Sequence, residues 1–228
     1  MDVLDALRAR GSTRAFTSHP VPAATVHRIL DAARYAPSGS NIQPWQVHVV
    51  AGAVRDRLCA ETRAAATEDR TRYPWPYDYY PVHWRDPYLA RRRACGWGLY
   101  TLLGIGRGDR AAAAAQELRN YALFDAPVGL FFFIDRDLEH GSWLDLGMFV
   151  QSVMLAAQSV GLATCPQAAW APFHEIVRRH VGVPLDGPIL VCGMALGHPD
   201  PHARVNGYRP ERLAVDGFAR LHGFEDAP

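Results

Sequence analysis

The sequence predicts a single α+β domain with an inserted lobe at about residues 69–115. Segments with the periodicity of amphipathic helices are numerous, whereas alternating or wholly apolar runs typical of strands are few and are mixed among them. Hydrophobic residues make up 49% and charged residues 21% of the 228 positions, which is typical of a packed core. No internal repeat or low-complexity linker divides the chain, so we expect one domain over 1–228.

The first quarter of the chain contains two predicted helices. Residues 2–10 form a short one that Asp2 caps and Gly11 ends. Residues 22–35 form the second, because apolar residues recur at i, i+3, i+4 and i+7, and Pro37 ends it.

A polar loop, YAPSGSNIQPW at 35–45, precedes the alternating segment QVHVVAG, which is predicted to be a strand anchored in the core by Trp45. A third helix is predicted at about 53–68. Residues 73–88 then hold seven aromatic residues and four prolines among sixteen. The prolines exclude a regular helix or a central strand, so this segment is predicted to be irregular.

Two more helices are predicted at about 88–104 and 109–123, the second capped by Asp109. The turn GIGRGD between them resembles part of a dinucleotide-binding fingerprint. It follows a helix rather than a strand and its third glycine comes one position early, so we interpret it as a turn.

The second half of the chain alternates apolar runs with helices. The runs 127–134 and 188–197 are predicted to be buried strands. The segments 142–160 and 172–181 are predicted to be helices, and the tail 198–228 is predicted to be mostly irregular. Ser142 and Asp145 look like a capping pair for the first of these helices. The uncharged stretch 146–163 has glutamines and serines and lacks a basic flank, which favours a core helix over a membrane span.

Several classes of function are disfavoured. A formal net charge of +1 does not predict nucleic-acid binding. The four cysteines lie far apart without metal-binding spacing, and this predicts reduced thiols in a cytoplasmic protein. HEIVRRH is not a zinc motif, HPDPH lacks a third ligand, and G-x-S-x-G is absent, so neither a metal site nor a hydrolase is expected.

Two arginine clusters stand at opposite ends of the chain. RGSTR at 10–14 combines two arginines with two hydroxyls, and NGYRPER at 206–212 adds Arg209 and Arg212. Arginine forks match phosphate oxygens, and hydroxyl and backbone N–H groups complete such a cradle. The pair of clusters is a hint of one phosphate site, although each cluster alone is more often a solvated face.

Five motifs, in their order along the chain, resemble those of the nitroreductase family of FMN flavoproteins. They are R-x-S-x-R-x-F at 10–16, APSGSNIQPW at 36–45, GLATCPQ at 161–167, CGMALGHPDP at 192–201 and R-x-x-R at 209–212. Segments such as YDYYPVHWRDPYLARRR resemble its 4-nitrobenzoate reductase-like subgroup. The resemblance implies a small, mixed but mainly antiparallel sheet surrounded by helices. It also implies a homodimer with the long helix 142–160 at the interface and two FMN sites built from both chains.

By position, the resemblance assigns cofactor-binding roles along the whole chain. Arg10, Ser12 and Arg212, with Arg209 as a helper, match the phosphate and ribityl side of FMN. Arg14 matches the basic residue near the flavin N1/O2 edge. Pro37, Ser38, Gly39 and Asn41 match a loop that lines the ring system from the partner subunit, and Pro166 and Gln167 match the segment beside flavin N5. In many members a lysine stands where this chain has Pro210, which weakens the assignment of Arg209.

The resemblance also implies a ping-pong reaction in which NAD(P)H reduces FMN and an electron-poor nitroaromatic compound is then reduced, with no catalytic protein residue required. The aromatic residues Tyr79, Tyr80, Trp84 and Tyr88 are candidates to stack on a flat substrate. Arginines 91–93 are either a solvated face or a site for a substrate carboxylate. Two alternatives stay open: another FMN-dependent dehydrogenase, oxidase or dehalogenase, and a flavin-binding protein without turnover.

Overall fold

The structure, a computed structural model, describes residues 2–224 and is α+β, as the sequence predicts. Its helices are α1 Val3–Ala9, α2 Ala23–Ala33, α3 Gly52–Asp69, α4 Tyr88–Leu102, α5 Arg110–Leu118, α6 His140–Ser159 and α7 His174–Val181. Its strands are β1 Gln46–Ala51, β2 Val128–Ile134, β3 Ala163–Gln167 and β4 Ile189–Gly197. Short 3₁₀ turns extend several of these elements.

The four strands form one sheet in the order β1-β2-β4-β3, and every neighbouring pair is antiparallel. The parallel component is confined to an isolated bridge between Ser12 and Thr164. Strand β3 was missed by the sequence prediction. It has five residues including Pro166, a composition that argues against a strand except at the edge of a sheet, which is where β3 lies.

Strand β2 divides the core into two layers. All seven of its residues are buried. Phe131 and Phe133 pack on one side of the sheet with residues of α3 and α7, while Leu130 and Phe132 pack on the other side with α2 and α6. Because both faces of the strand are covered, its sequence is apolar throughout rather than alternating.

Helix α6 begins two residues earlier than predicted, and its predicted capping pair is wrong. Glu139 is the N-cap residue and makes no side-chain cap. Ser142 and Asp145 are buried inside the helix, where Asp145 accepts a hydrogen bond from the backbone of the polar loop instead. The prediction of a core helix is confirmed by buried residues such as Phe149 and Val153. No helix in residues 2–224 is long and apolar enough to cross a membrane.

Helix α7 ends at Gly182 as predicted, with φ of 74°. Arg178 is 1% exposed, and its guanidinium lies 5.7 Å from the centre of the Phe133 ring. Its Nη1 donates to the carbonyl of Pro184 at 2.5 Å and its Nη2 to that of Pro188. One side chain thus fastens the loop between α7 and β4 to the sheet.

The aromatic segment 73–87 is irregular, as predicted. The Tyr77 hydroxyl donates to the carbonyl of Val191 at 2.5 Å, and its ring lies 4.8 Å from Trp143 of α6. Strand β3 pairs only with residues 193–197 of β4. The aromatic segment therefore covers the part of β4 that β3 leaves unpaired.

Candidate active site

A cavity of about 1290 Å³ lies between the loop after α1, helix α4 and the C-terminal tail. Its lining includes Arg10, Ser12 and Arg14 from the loop. Arg209 and Arg212 come from the tail. Folding thus brings the two arginine clusters, about 200 residues apart in sequence, to one site.

The cavity is strongly positive. Within residues 2–224, none of these four predicted arginines forms an ion pair, and the acidic residue in the lining is Glu211. Burial, followed by the charges of Arg212 and Arg209, lowers the pKa of Arg10. Guanidinium groups that repel one another in this way are stabilised by a bound anion, so the donor set fits the phosphate of FMN.

The loop after α1 is fixed in place by β3 and by Asn206. Thr13 N–H donates to the carbonyl of Thr164 at 3.0 Å. The Asn206 side-chain oxygen accepts from the N–H groups of Arg14 and Ala15 at 2.9 and 3.1 Å, and its amide nitrogen donates to the Ala15 carbonyl at 2.8 Å. Sequence reasoning missed this role, because the Asn-Gly pair at 206–207 signals only a turn.

Gly11 allows Arg209 to approach the loop closely. A Cβ atom at position 11 would lie 3.0 Å from Cζ and Nη1 of Arg209. Nη1 of Arg209 donates to the carbonyls of Asn206 and Tyr208 at 2.8 and 3.0 Å. The guanidinium is thereby hydrogen-bonded to the backbone of the tail and lies close to the loop at Gly11.

Helix α4 forms one wall of the cavity, and Tyr208 holds it there. The helix has no buried residue. Tyr208 Oη donates to the carbonyl of Cys95 at 2.8 Å, and a Cβ atom at Gly98 would lie 2.7 Å from that hydroxyl oxygen. Neither Tyr208 nor Gly98 carried a signal in the sequence, since their contact joins segments about a hundred residues apart.

The polar loop 35–45 lies elsewhere and does not line the arginine cavity of its own chain. Ser40, Asn41 and Gln43 have positive φ, whereas Gly39 does not. The loop is held by Gly39 N–H, which donates to Asp145 Oδ2 at 3.1 Å, and by Gln43 N–H, which donates to Ser38 Oγ at 3.0 Å. At the end of the loop, Trp45 stacks on Phe149 with their ring centres 4.6 Å apart, which confirms the prediction that Trp45 anchors the following strand in the core.

Pro166 and Gln167 end strand β3 beside the loop after α1. Gln167 is buried, and its Nε2 donates to the backbone and side-chain oxygens of Asn120 at 2.8 and 3.2 Å. Its Oε1 has no hydrogen-bond partner among the described residues. Burial raises the pKa of the neighbouring Cys165 thiol to about 11, so this thiol stays protonated at neutral pH.

The candidate substrate residues fall into two groups. Tyr79 and Tyr80 pack edge to face at 4.5 Å, and the guanidinium of Arg92 lies over the rings of Tyr80 and Trp84 at 5.4 and 5.0 Å. Tyr88 begins α4, where the guanidinium groups of Arg85 and Arg91 lie 5.0 and 5.8 Å from its ring centre. Aromatic faces and guanidinium groups thus pack against one another in this region, and none of the four predicted substrate residues is among those that line the arginine cavity.

Residues 2–224 contain no group of three or more His, Cys, Asp or Glu side chains that are close enough together to bind a metal ion. The four cysteines are all free. The GIGRGD segment forms the turn between α4 and α5, with Asp109 capping α5 through the Ala112 N–H at 3.0 Å, as predicted.

Comparison with known proteins is consistent along the whole chain. Residues 7–198 match the model of the nitroreductase family. The chain is 38% identical to the 4-nitrobenzoate reductase of Pseudomonas putida, covering 98% of this chain and 97% of that one. It is 36% identical to the nitrobenzene nitroreductase of Ectopseudomonas oleovorans, covering 94% of each. The crystal structure of the FMN and NADPH-dependent nitroreductase NfnB from sphigopyxis sp. strain HMH superposes with a TM-score of 0.93 at 41% identity, over 98% and 100% of the two chains.

Proposed function

The chain belongs to the nitroreductase family, and from this premise we propose that it is an FMN-dependent oxidoreductase that uses NAD(P)H to reduce nitroaromatic or similar electron-poor compounds. The observation that carries the proposal is the cavity in which the four predicted arginines from both ends of the chain converge, with no ion pair to any of them within residues 2–224. When bound, FMN supplies the two-electron chemistry, accepting a hydride equivalent from NAD(P)H and passing electrons to the substrate.

In this proposal the chain's own residues bind and orient the cofactor. Arg10, Ser12 and Arg212 hold the phosphate and ribityl side, with Arg209 packed on Gly11 beside them. Arg14 would place a positive charge near the ring system, where it would stabilise negative charge that develops there.

The ring system is enclosed by two further segments. Pro166 and Gln167 stand at the end of β3, next to the loop that carries Ser12. Pro37, Ser38, Gly39 and Asn41 do not line the arginine cavity of their own chain, so we assign them to the ring system bound by the partner subunit. The aromatic rings of Tyr79, Tyr80, Trp84 and Tyr88 would then cap a flat substrate.

The experiment is an anaerobic spectral titration of the purified protein reconstituted with FMN. We expect NADPH or NADH to bleach the flavin absorbance and 4-nitrobenzoate to restore it. Protein that takes up no FMN would overturn the proposal. Two alternatives are not favoured, because the relatives are named as nitroreductases: an FMN-dependent dehydrogenase, oxidase or dehalogenase, and a non-catalytic flavin protein. If an organic substrate but not NAD(P)H bleached the flavin, the dehydrogenase, oxidase or dehalogenase alternative would be supported.

We also propose a homodimer with α6 at its interface. Leu144 on α6 is 68% exposed, and Val3 and Leu4 of the adjoining α1 are 68% and 60% exposed. The tail adds further exposed apolar side chains, among them Phe218 at 69%. Apolar surface of this extent is typical of an interface that a second copy covers.

If the protein is a homodimer of this kind, a change that breaks the interface should also lower FMN binding. The wild-type protein should sediment at twice the 25.3 kDa chain mass, and Leu144→Glu should shift it towards the monomer and lower its FMN content together, because the partner's loop completes the site. Leu185→Glu is the matched control, since Leu185 is 59% exposed on the loop after α7. A monomeric wild type, or equal effects of the two changes, would contradict the proposal.

We place the protein in the cytoplasm. Its four cysteines, all among the described residues, form no disulfide bond, and two of them, Cys59 and Cys165, are buried in the core as free thiols. Neither a nucleic acid nor a membrane is proposed as a partner, in keeping with the near-neutral net charge of +1.

A further inference from the structure

We propose that Arg91 makes this site selective for nitroaromatic substrates that carry a carboxylate group. The inference rests on the proposed function and adds a substrate class to it. Relatives named for a charged and for an uncharged nitroarene are 38% and 36% identical to this chain, so identity alone does not choose between the two classes. The charges and contacts of the cavity do.

The cavity holds more positive charge than the cofactor phosphate neutralises. Five guanidinium groups in its lining have no ion-pair partner among residues 2–224, namely those of Arg10, Arg14, Arg91, Arg209 and Arg212. Arg8 also lines the cavity but lies 4.0 Å from Asp5. Setting Glu211 against the five leaves a surplus of four positive charges. A phosphate monoester removes about two of these, so the site retains a positive field that favours a second anion.

Arg91 is the arginine best placed to receive that anion. The other four come from the loop after α1 and from the tail, whereas Arg91 projects from α4 on the remaining wall. No side-chain hydrogen bond of Arg91 is present among the described residues, so its N–H donors are available. Its charge is therefore supplied by a different element of the cavity wall from the charges of the phosphate cluster.

The surroundings of Arg91 favour an aromatic anion. Its guanidinium lies 5.8 Å from the Tyr88 ring centre, and this cation–π contact restrains the side chain. The next residue of α4, Arg92, lies in the same way over Tyr80 and Trp84 of the preceding aromatic segment. A guanidinium fork binds a carboxylate through two parallel hydrogen bonds, while neighbouring aromatic faces contact the ring that bears it.

The test compares 4-nitrobenzoate with its methyl ester, which has the same nitroarene without the charge. The wild-type enzyme should have the higher kcat/KM for the acid. In Arg91→Ala the ratio of kcat/KM for acid over ester should fall roughly tenfold or more, because one charge-assisted bidentate contact is lost. Arg93→Ala is the matched control: Arg93 is exposed in the same helix but does not line the cavity, and its ratio should equal that of the wild type.

Each remaining outcome decides against the inference. An unchanged ratio in Arg91→Ala, or an equal fall for acid and ester, would overturn it. So would a loss confined to flavin reduction by NAD(P)H, measured as a separate half-reaction, or a loss of FMN content, since Arg91 would then serve the phosphates of those molecules. A wild type that prefers the ester overturns the inference alone, whereas a wild type that reduces neither compound overturns the proposed function as well.

Discussion

Replacing Arg212 with alanine is expected to weaken FMN binding by roughly ten- to a hundredfold without disturbing the fold. Among residues 2–224, the Arg212 side chain donates only to nearby tail carbonyls, those of Pro210 and Glu211 at 3.0 and 3.3 Å, so no helix or strand of this range depends on it. Its loss removes a hydrogen bond to a charged phosphate, worth about 1.5–3 kcal/mol. A titration of the apoprotein that follows flavin fluorescence gives the dissociation constant.

Replacing Arg212 with alanine should affect the thermal stability of the apoprotein and of the FMN complex differently. Because Arg212 repels Arg10 and lowers its pKa, its removal should leave the Tm of the apoprotein unchanged or slightly higher, while the increase in Tm on adding FMN becomes smaller. Arg220→Ala is the control, because its guanidinium also donates to local tail carbonyls but does not line the cavity. An FMN affinity for Arg212→Ala equal to that of Arg220→Ala would refute the phosphate assignment.

Replacing Arg178 with alanine should destabilise the protein by roughly 3–5 kcal/mol, seen as a Tm lower by roughly 10 °C at a fixed protein concentration. The change removes both donors to the carbonyls of Pro184 and Pro188 and leaves a cavity against Phe133. Those carbonyls lie in the connection to β4, so their release should loosen an inner strand of the sheet.

Two further variants separate the causes of this loss. Arg178→Met keeps most of the volume without the donors and should lose less stability than Arg178→Ala. Arg179→Ala removes the adjacent arginine, which is 57% exposed and pairs with Glu61 at the surface, and should cost less than about 1 kcal/mol. Equal losses for Arg178→Ala and Arg179→Ala would mean that the buried contacts contribute no more than an exposed ion pair.

Local patterns in the sequence predicted all seven α-helices of residues 2–224 and three of the four strands. The periodicity of α2, the end of α7 at Gly182, the cap of α5 by Asp109 and the apolar run of β2 all depend on neighbours within a few residues. Strand β3 was missed because five residues with a proline form a strand only where a partner edge exists.

The candidate site was predicted by resemblance more than by local pattern, and several residues that build it were not predicted at all. Asn206 clamps the loop that carries Arg14, Asp145 holds the N–H of Gly39, and Tyr208 fixes α4 at Gly98. Each of these side chains acts on a residue about 100 or more positions away, and Asp145 in particular looked like a helix cap when only its neighbours were considered.

The sequence by itself determined the α+β class, most element boundaries and the family, because helix and strand periodicity, caps and motif order are properties of short segments and of their succession. Only the tertiary structure decided that the two arginine clusters share one cavity, that α4 and Arg91 form its remaining wall, and that the polar loop does not line it. Those facts depend on packing and hydrogen bonds between segments that are distant in the sequence, such as those of Asn206 with the loop after α1 and of Tyr208 with α4, which no short segment encodes by itself.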